Sequence, residues 1–249
     1  MPRLGNTDVE TLSFGGNYSL TGARITGLGA TEYTLVDIEV DGSTSVGPFR
    51  GDLIVAIETI VDACKKSPRS DNLLLRVGLF SDRHPNGSLE IHGYVPLSEI
   101  DVGLYQNIRT GGNTPLLDAC YTSVGGMNAY AKKLVDNDIL VNGISFVATD
   151  GVNNIDGATP TMIRKEIDRA TKEEVMESHV SILIGINATD NAAALAKVQA
   201  DLGFTQFIDA GEATKGKLAK LANFVSQSIS SQSQALGTGG PSQAIAATI

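Results

Sequence analysis

The chain has 249 residues, 42% hydrophobic and 19% charged, and a formal net charge of −9. That length buries one substantial core, no apolar run is long enough to span a bilayer, and the acidic balance argues against a broad nucleic-acid-binding face, which needs clustered Lys and Arg. Cys64 and Cys120 are too few for a disulfide framework and read as buried free thiols.

Residues 1–30 are Gly- and Thr-rich with little apolar periodicity. They read as an N-terminal arm: a disordered leader, then a small hairpin from the pieces around Tyr18 and Leu20 and around Ile25 and Leu28. The start of the chain lacks the charged-then-apolar pattern of a secretory signal, so the expected location is cytoplasmic. Residues 31–236 form the main domain. Residues 33–40 alternate Val36, Ile38 and Val40 with Asp37 and Glu39, a first strand. Residues 51–65 carry Leu53, Ile54, Ile57, Ile60 and Val61 at helical spacing. Residues 73–81 read as a second strand. Asn86-Gly87 signals a hairpin, and residues 89–95 return as an antiparallel strand at the sheet edge, with His92 decorating that edge.

Further strands are expected at 143–150, 180–186 and 204–208. Helices are expected at 115–134, 159–177, 190–202 and 213–231, with Thr114 and Pro115 as cap and first-turn proline. Residues 237–249 read as a flexible tail. Ser226 to Gln234 is a polar, low-complexity stretch on or just past the last helix. Strands alternating with helices give an α/β doubly wound, mostly parallel sheet with one antiparallel edge strand and helices on both faces.

Three stretches carry the chemistry: Asp41-Gly42-Ser43-Thr44-Ser45, Thr114 in the Gly-rich run from Thr110 to Leu116, and Asp150 in Thr149-Asp150-Gly151. Asp41 and Asp150 fall at the carboxyl ends of expected strands, where ligands bind in such sheets. Two carboxylates and three hydroxyls are hard oxygen donors. They suit Mg²⁺ or Mn²⁺, with Ca²⁺ disfavoured because it prefers more ligands, and zinc disfavoured because it prefers Cys and His. His84, His92 and His179 are scattered, without zinc spacing.

On these residues the chain resembles a von Willebrand factor A (vWA) domain with a complete metal-ion-dependent adhesion site, from about Tyr33 to about Ser231. Asp41, Ser43, Ser45, Thr114 and Asp150 match the family's metal-site positions. The resemblance implies a Rossmann-like fold and a metal-bridged contact with an Asp or Glu of a partner protein, with no catalysis, nucleic acid or membrane involved. In general character the chain is similar to intracellular bacterial or phage-type vWA proteins, such as those of stress-response or defence gene clusters. Asp37 and Glu39 depart from the family pattern, because a covered parallel strand is normally apolar on both faces. They either pack against a polar element or add charge near the metal.

Two alternatives stand beside this adaptor reading. One is a structural subunit of a phage or microbial assembly that uses its terminal arms. The other is a metal-assisted hydrolase or phosphoryl-transfer enzyme. Three decoys fall away. Gly211 to Lys217 fits a phosphate-loop pattern, but Leu218 replaces the required Ser or Thr. Gly27-Leu28-Gly29 precedes a strand instead of following one, and Glu32 replaces the third glycine of a dinucleotide fingerprint. Ser43 and Ser45 lack a nucleophile-elbow frame and a paired His.

Overall fold

The computed structural model describes residues 9–172, 175–239, 245 and 246. The leader before Val9 and most of the tail after Gly239 lie outside the described residues.

The strands are β1 (Val9–Phe14), β2 (Tyr18–Ala23), β3 (Glu32–Asp41), β4 (Leu73–Phe80), β5 (Ser88–Pro96), β6 (Leu140–Thr149), β7 (Ser178–Gly185) and β8 (Gln206–Asp209). The helices are α1 (Arg50–Lys65), α2 (Leu116–Val135), α3 (Pro160–Lys172), α4 (Ala192–Leu202) and α5 (Lys215–Thr238). One eight-stranded sheet runs β1-β2-β5-β4-β3-β6-β7-β8. Strands β4, β3, β6, β7 and β8 are mutually parallel, and β5 is antiparallel to β4.

Strand alternation sorts β3 between two layers. Val36, Ile38 and Val40 pack with Leu53, Ile57, Leu221 and Val225 of α1 and α5. Tyr33 and Leu35 face the opposite layer, where Met127, Tyr130 and Leu134 of α2 cover the sheet. Phe80 and Val147 meet Cys120, Val124, Ile163 and Leu195 in that same layer. The doubly wound α/β fold is therefore the one the periodicity predicts.

Several boundaries and placements differ. The hairpin pairs Val9–Phe14 with Tyr18–Ala23, while residues Ile25–Gly27 form a 3₁₀ turn. It extends the sheet beyond β5, so β5 is not the outermost strand. His92 does not decorate an edge: it is 5% exposed, because Tyr105 from the segment after β5 closes over it. Helix α3 ends at Lys172, short of 177. Helix α5 runs on to Thr238, because Ser228, Gln232 and Ser233 are buried on its inner face. Asn142 Nδ2 donates to the Gln232 carbonyl at 2.7 Å, and Arg69 Nε donates to Ser233 Oγ at 2.9 Å.

Asp37 and Glu39 are explained by packing. Both are 0% exposed, and Arg76, opposite Asp37 on β4, donates from Nη1 to Asp37 at 2.8 Å and to Glu39 at 2.6 Å. Its Nε reaches Glu90 on β5 at 3.1 Å. Burial pushes the Glu39 carboxyl up to about 7, against the attraction of Arg76. Gly78 makes room: a Cβ there would lie 2.4 Å from Glu39 Oε2.

Candidate metal centre

Asp41 closes β3, and Asp150 directly follows β6, its neighbour in the sheet. Asp41, Ser43, Thr114 and Asp150 are buried and Ser45 is exposed. Ser43 N donates to Asp41 Oδ1 at 2.7 Å, turning the chain just after the strand. Ser43 Oγ and Ser45 Oγ lie 3.0 Å apart, and Ser45 Oγ donates to Asp150 Oδ1 at 2.9 Å. Four of the five expected residues thus form one connected polar chain across two loops.

Thr114 joins through its backbone. Thr114 N donates to Asn154 Oδ1 at 2.8 Å, and Asn154 N donates back to the Thr114 carbonyl at 3.2 Å. On the other side, Thr44 N donates to the Gly112 carbonyl at 3.1 Å and Gly111 N to the Gly42 carbonyl at 2.8 Å. The Thr114 loop is therefore stitched to both acidic loops. Among the described residues, no hydrogen bond links the Thr114 hydroxyl to the other four. Nor does Thr114 cap α2 with its side chain: Pro115 occupies the cap position, and Asn153 Oδ1 from the third loop accepts from Leu117 N at 3.0 Å.

The electrostatics favour a cation. Burial pushes the Asp41 carboxyl up to about 6; bonds from Ser43 and Thr149 oppose this, and the nearby Asp150 carboxylate adds to it. Burial also raises Asp150, against the Ser45 hydrogen bond. Among the described residues, no Lys, Arg or His forms an ion pair with either acid. Two buried carboxylates without a counter-charge carry a desolvation cost that a bound ion relieves. The side chains bonded to them, Ser45 and Thr149, offer hydroxyl oxygens, and no group of three His, Cys, Asp or Glu side chains suited to a metal occurs among the described residues. The residues present fit a hard divalent ion completed by hydroxyls and water.

Sequence reasoning passed over several supporting groups. Thr149 Oγ1 donates to Asp41 Oδ2 at 2.7 Å, holding the carboxylate that Ser43 holds from the other side. Asn153 and Asn154 tie the third loop to the second. Asp82 accepts from Asn113 N at 2.9 Å and from Asn113 Nδ2 at 2.7 Å, which fixes the turn before Thr114. The paired asparagines just after Asp150-Gly151 are a turn-forming composition that could have marked them. The rejected phosphate-loop pattern turns out to be a helix start, with Thr214 Oγ1 accepting from Lys217 N.

No protein-family model matches the sequence, and no curated protein does. Solved structures share the fold. The pilus adhesin SpaC from Lactobacillus rhamnosus GG, in its open conformation, matches at a TM-score of 0.60 and 11% identity, over 90% of this chain and 34% of that one. Proximal thread matrix protein 1 from the mussel byssus, with a zinc-occupied MIDAS motif, matches at 0.50 and 19% identity, over 80% and 46%. The vWF domain of the type V pili tip protein Mfa5 from Porphyromonas gingivalis matches at 0.50 and 10% identity, over 81% and 97%. This chain spans about a third of SpaC and under half of the byssus protein. The fold is vWA-like. No helix among the described residues is long and apolar enough to cross a membrane.

Proposed function

We propose that this chain is a non-enzymatic protein-binding domain that holds a divalent ion, Mg²⁺ or Mn²⁺, and uses it to capture an Asp or Glu of a partner protein. Asp41, Ser43, Ser45, Thr114 and Asp150 are its metal residues. The observation that carries this reading is the buried Asp41–Asp150 pair, bridged by two serine hydroxyls and without a counter-charge among the described residues. Only two of the five groups are anionic, so they balance a bound dication without surplus negative charge, and an external carboxylate can complete its oxygen shell. The neighbours' printed descriptions, pilus adhesin and MIDAS-bearing thread protein, agree with a binding role.

The division into an arm (1–30), a vWA domain (31–236) and a tail (237–249) belongs to the same proposal, as does a cytoplasmic location; fractionation of tagged protein tests the latter. The assembly-subunit reading is favoured by one observation, namely that the neighbours come from pili and a byssal thread.

Calorimetric titration of metal-stripped protein with Mg²⁺ and Mn²⁺ tests the metal reading. Saturable binding is expected in the wild type and lost in the Asp41→Ala/Asp150→Ala variant. Equal heats from both proteins would sink it.

A further inference from the structure

Arginines gather on one side of the metal centre. On the side of the Thr114 loop stand Arg50, Arg83 and Arg109. On the loops that follow β6, β7 and β8 stand exposed Asp156, Asp190 and Glu212. In a chain of net charge −9, three arginines gathered on one side of the centre call for an explanation.

Two of the three have local work. Arg50 donates to the Ile108 carbonyl at 2.6 Å and to the Gln106 carbonyl at 2.9 Å. Arg109 Nη1 donates to the same two carbonyls, at 3.0 and 2.9 Å. They pin the segment leading into the Thr114 loop.

Arg83 does not. It is exposed, and its guanidinium forms no hydrogen bond or ion pair with a described residue. The adjacent Asp82 carboxylate accepts two bonds from Asn113 and feels Arg83 through space, without a hydrogen bond between them. The guanidinium lies against Gly111: a Cβ there would stand 2.4 Å from Arg83 Cζ and Nη1. At Gly112, with φ +85°, a Cβ would meet Asp82 Oδ1 at 2.1 Å, Ser81 Oγ at 2.8 Å and Arg83 Cγ at 3.1 Å. The backbone is bare at Gly111, where the guanidinium crosses it, and at Gly112, where the Asp82 carboxylate does. Gly111 N in turn bonds to the Gly42 carbonyl, one residue past Asp41. A planar fork without a hydrogen-bonded partner among the described residues is thus set beside the Thr114 loop, a geometry suited to bidentate capture of a carboxylate.

We propose that Arg83 reads a second carboxylate of the partner, so that the ligand is an acidic segment with one carboxylate on the metal and another on Arg83. This rests on the metal-bridge reading above.

The test titrates Mg²⁺-loaded protein with acetylated, amidated glycine peptides. One carries a single aspartate; the others carry an aspartate and a glutamate separated by none to three glycines. At least one two-acid peptide should bind about fivefold more tightly than the one-acid peptide, the gain expected of an ion pair near the surface. Arg83→Ala should abolish that preference while leaving one-acid binding within about twofold, and Arg83→Lys, which keeps charge without the fork, should retain part of it. A preference that is absent in the wild type, or that survives Arg83→Ala, overturns the inference. Failure of every peptide, the one-acid peptide included, to bind metal-loaded protein overturns the carboxylate-capture reading and the inference with it, whereas one-acid binding without a two-acid preference overturns the inference alone. Absence of Mg²⁺ binding itself would instead overturn the metal reading, so the two failures are told apart.

Discussion

Arg76 shows how one residue can decide whether a layer is tolerable. Its guanidinium serves Asp37, Glu39 and Glu90 at once and is 1% exposed. Removing it as Arg76→Met would strand carboxylates in an interior that cannot solvate them, so chemical denaturation should report a loss of about 3–5 kcal/mol. Gly78→Ala should also destabilise, because its Cβ lands on the Glu39 carboxylate. His92 supplies a pH signature. Its Nδ1 faces the Gly93 carbonyl at 3.0 Å, which can only accept, so Nδ1 carries the proton and Nε2 accepts from Tyr105 at 2.9 Å. Burial lowers His92 to about 4 from 6.5. Because the folded value lies below the unfolded one, the stabilisation is full above about 6.5 and is lost as pH falls towards 4. The window holds about 3 kcal/mol. Buried His179, also lowered to about 4, acts in the same window, so His92→Gln should lessen the slope there without abolishing it, and an unchanged slope would remove His92 as a contributor.

At the scale of elements, the N-terminal hairpin is held in an unusual way. Strands β2 and β5 share a single register pair, Gly22 with Tyr94. In place of a full ladder, the Glu90 carboxylate accepts from Thr21 N at 3.1 and 3.0 Å, while Tyr130 OH donates to the Ala23 carbonyl at 2.8 Å. Tyr18 OH bonds Asp118, whose Oδ1 also accepts from Ala158 N on the segment after Asp150. Glu90→Ala should therefore raise hydrogen exchange across residues 9–23 by about tenfold or more, leaving α1 protected. Arg76 keeps two carboxylate partners in that variant, so global stability should fall less than hairpin protection. The parallel core was legible because each of its strands carries a buried apolar period followed by a turn. The hairpin was legible only in part: the strand around Tyr18 and Leu20 was expected, but its partner Val9–Phe14 was not, nor were its long-range anchors Glu90, Tyr130 and Asp118, which are scattered along the chain. The end of α5 misled for a related reason: Ser228, Gln232 and Ser233 look like linker residues, and only the partners Asn142 and Arg69 make burying that face acceptable.

The whole molecule brings these together at the carboxyl edge of the sheet. Asp41, Ser43, Ser45 and Asp150 were legible from short motifs at strand ends, since a strand end fixes where a side chain is delivered. Thr149, Asn153, Asn154 and Asp82 were not, because they act on loops that meet only after β3 and β6 pair. The arrangement has an energetic consequence for the entire fold. On the proposed metal reading, a carboxylate pair kept without a counter-charge is destabilising in the metal-free protein, and an ion that binds only the folded state would stabilise it by mass action. At a concentration about a hundredfold above the dissociation constant that is about 2.7 kcal/mol, or roughly 5–10 °C in melting temperature for a chain of this size. Asp41→Asn should behave oppositely in two respects. It keeps an acceptor for Ser43 N and gives up the buried charge, so the metal-free variant should melt at or above the metal-free wild type. It should then show almost no further rise with Mg²⁺ or Mn²⁺. A metal-free variant that melts well below the wild type would mean that the Asp41 charge is already compensated within the fold, and that the site is a structural capping network instead of a seat for a cation.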